Sequence, residues 1–156
     1  MARAHSFVIT VSNNKTEREG IDYLREHETG FFYVDRITRR LILDLLGQPY
    51  SFTRAFDMVY IPRYAGETVT PEVIETHLDE IILVELKTTK KFLPNSPKGF
   101  FFGATENEFE FGRRLGDKFR FCFVCLNPSS PSAKMLSIAG LEAMMRTRRI
   151  QYQINL

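Results

Sequence analysis

The chain has 156 residues, of which 44% are hydrophobic and 26% charged, and its formal net charge is only +2. This composition is typical of one soluble globular domain that can bury a proper core, so residues 1–156 are expected to form a single domain. No apolar run reaches transmembrane length and no signal-peptide core follows the N-terminus, which excludes a membrane-spanning protein or membrane partner and predicts a cytoplasmic one.

Short apolar runs separated by polar segments organise the first half of the chain. The predicted elements, in order, are strand 6–12, amphipathic helix 15–28, strand 31–34, an apolar segment 41–46 and strand 56–61. A long insertion follows over residues 62–80. Thr70 and Pro71 within it favour the start of a short helix, as an N-cap and a first helical residue.

The second half alternates strands and helices. The predicted elements are a buried strand from 81 through the Glu85 position, a short buried strand 100–102, helix 105–115, strand 118–126, helix 133–146 and edge strand 150–156. This mixed order predicts an α/β fold of three layers, with a mixed central sheet flanked by helices.

The end of the Glu85 strand has the strongest chemical pattern. Side chains alternate faces along a strand, so Glu85 and Lys87 are expected to point the same way while Leu86 points into the core. A carboxylate beside an ammonium at a strand end suits a magnesium site that activates water against a phosphodiester. The pattern therefore predicts a small metal-dependent nuclease.

The cysteines and histidines do not indicate a competing zinc site. Cys122 and Cys125 lie three residues apart on a predicted strand, which puts them on opposite faces, and they are expected to be buried apolar residues. The three histidines form no cluster in the sequence. Oxygen ligands alone suit Mg²⁺ or Mn²⁺ rather than zinc.

Four segments together resemble a known family. They are Phe56-Asp57-Met58, Val84-Glu85-Leu86-Lys87-Thr88-Thr89, Phe101-Phe102-Gly103-Ala104-Thr105-Glu106-Asn107-Glu108 and Leu115-Gly116-Asp117-Lys118-Phe119. In order and spacing they resemble the PD-(D/E)XK nuclease superfamily of restriction-endonuclease-like fold, and most closely the NO VEIN C-terminal type of domain. The likeness covers roughly residues 15–127. The C-terminal helix and edge strand, 133–156, lie outside it.

The resemblance implies roles for five residues. Asp57 and Glu85 would ligate Mg²⁺, with the backbone carbonyl of Leu86 as a further ligand. Lys87 would orient the attacking water or stabilise charge on the phosphate. Glu17 occupies the place of an acid that binds metal through water in this fold, although a first-turn acid that only favours the helix dipole is the preferred interpretation.

Two assignments stay open at this point. The spacing from Asp57 to Glu85 is long for a hairpin, which leaves Asp44, Asp79 and Glu80 as competitors for the first acid. Glu108 fits a capping box with Thr105, and that structural role is preferred over one beside Lys87.

The expected function is a Mg²⁺-dependent endonuclease that acts on DNA, of restriction or defence type. Because cutting two strands takes two sites, a homodimer or a partner subunit is expected. Lys90, Lys91, Arg63 and Tyr64 are candidates for nucleic-acid contact, and the 62–80 insertion for target recognition. The alternatives are a catalytically idle module of the same fold that binds nucleic acid or protein, and an unrelated interaction domain.

Overall fold

The computed structural model describes the backbone of residues 2–156 and the side chains of residues 15–156. The helices are α1 (Ala2–His27), α2 (Arg36–Leu45), α3 (Pro71–Thr76), α4 (Glu106–Leu115) and α5 (Ile138–Met144). The strands are β1 (Phe31–Tyr33), β2 (Met58–Tyr60), β3 (Ile82–Thr89), β4 (Phe119–Cys125) and β5 (Ser132–Leu136). Short 3₁₀ turns occupy Tyr50–Phe52 and Gly116–Lys118.

The five strands form one mixed sheet in the order β1-β2-β3-β4-β5. Every neighbouring pair is antiparallel except β3 and β4, which run parallel. A parallel pair needs a crossover connection, and α4 lies within it. The two longest strands therefore lie next to each other at the centre of the sheet, and β3 ends where α4 can cover it.

Helices cover both faces of the sheet. On one face, α1 contributes Leu24 to a cluster with strand residues such as Val84 and Leu86. On the other face, helices α2 to α5 pack onto strand residues such as Leu83 and Phe121. This mixed α/β sheet between helices is compatible with the predicted three-layer architecture.

Phenylalanines dominate the larger core. Phe119, Phe121 and Phe123 alternate along β4 on one face and are buried. The rings of Phe111 and Phe109, both on α4, lie 5.7 Å from those of Phe119 and Phe121. Each buried phenylalanine contributes about 1.5–3 kcal/mol to burial free energy, so α4 is held firmly over the end of β3.

Several predicted elements are confirmed with small shifts of their ends. They are strands β1 to β4, α3 with its Thr70 cap, and α4 with its capping box. The predicted helix over 15–28 is also found, but as the second half of the longer helix α1, which begins at Ala2. Cys122 and Cys125 are both buried and unpaired on β4, as expected of small apolar residues. No helix in the part of the chain that the structure describes is both long and apolar enough to cross a membrane.

The prediction of a strand over 6–12 is wrong, because the backbone there belongs to α1. Alternation over seven residues is a short signal. The next segment, 15–28, is rich in good helix formers such as Lys15 and Glu19, and helix formation is cooperative, so the helix extends through 6–12.

The predicted helix over 133–146 is a strand followed by a helix. Residues Ser132–Leu136 pair with β4 as strand β5, and Ser137 then caps α5 by accepting a hydrogen bond from the Gly140 amide at 3.0 Å. Helix propensity favoured Ala133 to Leu136, but backbone pairing with the exposed side of β4 outweighs that preference.

Two predicted strands are absent from the described structure. Residues 100–102 form no ladder; the Phe100 and Phe102 rings instead lie 5.0 Å from the Phe123 ring, while Phe101 is 90% exposed. Residues 150–156 have no regular structure, and the side chains of Ile150 and Tyr152 are largely exposed. The alternating pattern of this segment is that of a strand, but it pairs with no strand in the described part of the chain.

Candidate active site

The end of β3 places Glu85 and Lys87 on the face covered by α4. Glu85 pairs with Phe121 and Lys87 with Phe123 in the parallel register with β4. Leu86 points to the opposite face, into the cluster beneath α1. The expected alternation is confirmed, and two ionisable side chains lie against a phenylalanine-rich core.

Asp57 lies just before β2 and beside Glu85. The last register pair joins Met58 to Val84, so the next position along brings Asp57 across from Glu85. The Asp57 amide donates to the Val84 carbonyl at 2.9 Å, and its Oδ2 accepts from the Leu86 amide at 2.9 Å. These two bonds fix the Asp57 carboxylate at the strand end, despite the long insertion between the two acids.

The three competing acids are engaged elsewhere. Asp44, on α2, accepts a hydrogen bond from the Tyr50 hydroxyl at 2.7 Å. Glu80 pairs with His77 at 3.4 Å, and Asp79 is exposed just before the opposite end of β3. Of the four candidate first acids, Asp57 is the one that the fold brings to Glu85.

Lys87 lies between two carboxylates. Its Nζ is 3.2 Å from Oε1 of Glu85 and 2.9 Å from Oε1 of Glu108, and the lysine side chain is only 13% exposed. Burial acts to lower the pKa of Lys87, but the charges of Glu85 and Glu108 outweigh it and raise the pKa above its ordinary value. The ammonium therefore stays charged in a partly desolvated position.

Glu108 performs two tasks with its two oxygens. Oε2 accepts hydrogen bonds from the Thr105 amide and, at 3.1 Å, from the Thr105 hydroxyl, which completes the capping box. Oε1 accepts from Lys87. Although burial acts to raise the pKa of Glu108, bonds from Glu85, Lys87 and Thr105 bring it below the ordinary value. The capping-box role that the sequence favoured for Glu108 is confirmed, and Glu108 also forms an ion pair with Lys87.

Glu85 is buried in an environment that disfavours its charge. Only 7% of the residue is exposed, and Oε2 is buried with no hydrogen-bond partner among the described residues. Burial first, then the charge of Asp57 and a hydrogen bond to Glu108, raise the pKa of Glu85 from 4.5 to about 11. The Lys87 charge acts to lower this pKa, but the net shift favours a proton on this carboxyl when no cation is bound.

Glu17 joins the same group of acids from α1. Gly20, one turn later, lets α1 approach β3 closely, because a Cβ there would collide with the Thr88 side chain. Burial, the Asp57 charge and a hydrogen bond to Asp57 raise the pKa of Glu17 from 4.5 to about 7. The preferred interpretation of Glu17 as a first-turn acid that only favours the helix dipole is wrong, because α1 begins at Ala2 and Glu17 lies in its second half.

The donor set supplies few protein ligands, which suits a hard divalent cation that keeps part of its water shell. Carboxylate oxygens of Asp57 and Glu85 lie together, and the unpartnered Oε2 of Glu85 is a free ligand position. In the described part of the chain, no three histidine, cysteine or acidic side chains form a complete cage. Mg²⁺ normally keeps several waters and needs few protein ligands, so two acids with a backbone carbonyl and waters fit it.

The predicted nucleic-acid contacts lie in two different places. Lys90 and Lys91 follow the end of β3; Lys90 pairs with Glu19 at 3.0 Å and Lys91 is exposed. Arg63 and Tyr64 lie beyond the end of β2 that is away from Asp57.

Of these last two, Arg63 is exposed with a φ of 63°, an uncommon conformation outside glycine. The Tyr64 ring lies 5.5 Å from the Phe32 ring and 5.4 Å from the His77 ring, and its hydroxyl donates to the Thr68 carbonyl at 2.8 Å. Much of the Tyr64 ring is therefore engaged within the chain.

Arg39 is a residue near the site that the sequence did not single out. Its guanidinium donates to the carbonyls of Val34 at 2.8 Å, Thr53 at 3.4 Å and Asp57 at 3.5 Å. It also contributes a favourable charge to Glu17. In the sequence, Arg39 and Arg40 form one of several short basic clusters, and no local pattern marks the contact of Arg39 with the Asp57 backbone.

Comparisons of the chain with protein-family models, with curated proteins and with solved structures return no match. Its function is therefore inferred from the chemistry of the Glu85 and Lys87 strand end.

Proposed function

We propose that this protein is a Mg²⁺- or Mn²⁺-dependent endonuclease of restriction-endonuclease-like fold that hydrolyses phosphodiester bonds in DNA. The observation that supports this proposal most strongly is the position of Lys87. Its charged Nζ is held within 3.2 Å of Glu85 and Glu108, beside Asp57, at a buried strand end. Charge clustered in this way costs stability, which favours a functional role over a structural one.

The residues divide the chemistry among them. Asp57 and Glu85, with the Leu86 carbonyl, would hold the cation, which when bound would lower the pKa of a water and neutralise phosphate charge. Lys87 would place a positive charge where the phosphate gains negative charge during attack. Glu108 would keep Lys87 oriented through its 2.9 Å ion pair.

A catalytically idle module of the same fold is the second candidate. The observation that favours it is that Lys87 is already engaged by two carboxylates, which leaves fewer of its donors for a phosphate. In that case the chain would bind nucleic acid or a protein without hydrolysis. Metal-dependent turnover distinguishes the two candidates.

The assay is cleavage of supercoiled and linear DNA in Mg²⁺, Mn²⁺ and EDTA. Glu85→Ala and Lys87→Ala are compared with the wild type and with Lys98→Ala, an exposed lysine in the 93–99 loop. The endonuclease proposal predicts metal-dependent cutting that both site variants lose and Lys98→Ala keeps. Metal and DNA binding without turnover in the wild type would favour the idle module.

A duplex cut requires two sites, so the active form is expected to be a homodimer or a complex with a partner subunit. The exposed apolar side chains of residues 150–156 are the segment of this chain that we propose for that contact. Sedimentation of the full chain and of a chain ending at Arg149 would test it. Identical molecular masses at all concentrations would argue against this role.

A further inference from the structure

A cleft rich in arginine lies beside the candidate active site. It has a volume of about 430 Å³ and is formed by α2, residues 50–54 and the start of α4. The lining residues that matter here are Arg36, Arg39, Arg40, Arg54, Tyr50 and Asn107. The volume is within the range of about 300–1,000 Å³ that is typical of small-ligand sites.

The arginines of this cleft form no close ion pairs within the described part of the chain. None of the four arginines has a carboxylate oxygen of residues 15–156 within 4.0 Å. By contrast, Arg113 pairs with Glu106 and Glu142, and Arg120 pairs with Asp117. Four guanidinium groups around one concavity repel each other, and an anion between them would relieve that repulsion.

The donors of the cleft are only partly used. Arg40 has a buried Nε with no hydrogen-bond partner among the described residues. Arg39 donates to neutral carbonyl groups rather than to a carboxylate, although its charge also stabilises the ionised forms of Glu17 and Asp35. The acid nearest in sequence to Arg40 on its own helix face, Asp44, instead accepts from Tyr50.

The chemistry of this lining fits phosphate. Guanidinium groups bind phosphate oxygens through paired, charge-assisted hydrogen bonds. The Arg40 guanidinium lies 5.0 Å from the centre of the Tyr50 ring, which is itself 46% exposed. Tyrosine and arginine together form the kind of surface on which a nucleotide base can stack.

Two residues connect the cleft with the strand end. Arg39 lines the cleft and also donates to the Asp57 carbonyl. Asn107 lines it from α4, directly before Glu108, which holds Lys87. A polynucleotide that occupies the cleft would thus lie close to the backbone of Asp57 and to the first turn of α4.

We propose that this cleft binds a phosphate-bearing nucleotide unit of the nucleic acid, next to the phosphate that is cut. The inference rests on the proposed nuclease function for the identity of the ligand. Its test is a binding measurement, so it can fail or succeed independently of cleavage.

The experiment measures binding of fluorescent DNA oligonucleotides by anisotropy, with Ca²⁺ in place of Mg²⁺ and at several salt concentrations. Arg36→Gln, Arg40→Gln and Arg54→Gln are each expected to weaken binding about tenfold, the worth of one charged hydrogen bond. Each should also reduce the slope of log K against log salt by about 1. The matched controls, Arg113→Gln and Arg120→Gln, remove the same charge from arginines that are already paired and should leave both quantities unchanged.

Oligonucleotides with a 5′-phosphate or a 5′-hydroxyl identify the source of the phosphate. A preference for the 5′-phosphate that Arg40→Gln abolishes would assign the cleft to a chain end. Equal affinities, both reduced in the cleft variants, would assign it to an internal phosphodiester. Thermal unfolding of each variant confirms that it is folded before binding is compared.

Two results would overturn the cleft proposal. One is a wild type that does not bind DNA; the other is cleft variants that bind as tightly as the wild type with the same salt slope. If cleavage is normal in those variants, the cleft proposal fails while the nuclease proposal stands. If the cleft variants lose binding but the wild type never cuts DNA, the nuclease proposal fails alone.

Discussion

Replacing Glu85 with glutamine should stabilise the metal-free protein. Glutamine keeps the shape of the side chain; its oxygen can accept from Lys87 and its amide can donate to Glu108, as the protonated acid does. The substitution also removes the free-energy cost of keeping a carboxyl protonated at neutral pH. A residue kept for stability would show the opposite effect.

The magnitude follows from the raised pKa of Glu85. Between pH 4.5 and about 11 the native protein holds a proton on Glu85 that the unfolded chain releases, so stability falls as pH rises. The slope is about 1.4 kcal/mol per pH unit, and the 2.5 units from pH 4.5 to 7 give about 3 kcal/mol as an upper value. Below pH 4.5 the contribution of the wild-type acid is fully retained and the difference from glutamine should vanish.

The assay is urea unfolding in EDTA at pH 5, 6, 7 and 8. The free energy of unfolding of Glu85→Gln should exceed that of the wild type by an amount that increases with pH. The matched control is Glu110→Gln, an exposed acid paired with Arg114, which should change stability by less than about 0.5 kcal/mol at any pH. A variant less stable than the wild type, or a difference that does not depend on pH, would show that Glu85 is an ionised structural partner of Lys87.

Three further predictions concern the site and its surroundings. Mn²⁺ should bind the wild type with release of about one proton at pH 7, which calorimetry in two buffers of different ionisation enthalpy measures, and Asp57→Asn should weaken that binding. The absence of proton release would mean that the cation does not displace the Glu85 proton. Thr105→Ala should cost about 1 kcal/mol through its cap and also lower cleavage activity by releasing Glu108, whereas the control cap variant Thr70→Ala should cost similar stability with activity unchanged. Deleting residues 150–156 should change the free energy of unfolding by less than about 0.5 kcal/mol, since they are exposed and without regular structure; a larger loss would mean that they pack on the domain.

The sequence predicted the centre of the site because strong local rules govern it. Strand alternation is strict, so Glu85 and Lys87 had to share a face once β3 was recognised. The capping box at Thr105 marked the start of α4 and, with it, the position of Glu108. The position of Asp57 could not be predicted from local rules alone, because no local sequence pattern shows that β2 and β3 pair across a long insertion.

The errors arise where tertiary contacts decide the structure. Residues 133–136 have helix formers, but the free side of β4 pairs with them as β5. Residues 150–156 alternate as a strand does, yet no strand in the described chain pairs with them. The arginine cleft could not be predicted from the sequence, because Arg40 and Arg54 come together only when α2 packs against residues 50–54. Sequence patterns describe one helix or strand at a time and do not predict which residues come into contact in the folded chain.

The measurement that tests the central claim most directly is conversion of supercoiled DNA to nicked and linear forms, with Mn²⁺ or with EDTA, by the wild type, Lys87→Ala and Lys98→Ala. The proposed function predicts cutting by the wild type and Lys98→Ala only when metal is present, and a loss of at least about 100-fold in Lys87→Ala. Cutting by Lys87→Ala at the wild-type rate, or a folded wild type that neither binds Mn²⁺ nor cuts DNA, would contradict the assignment of the Glu85 and Lys87 strand end as a nuclease centre.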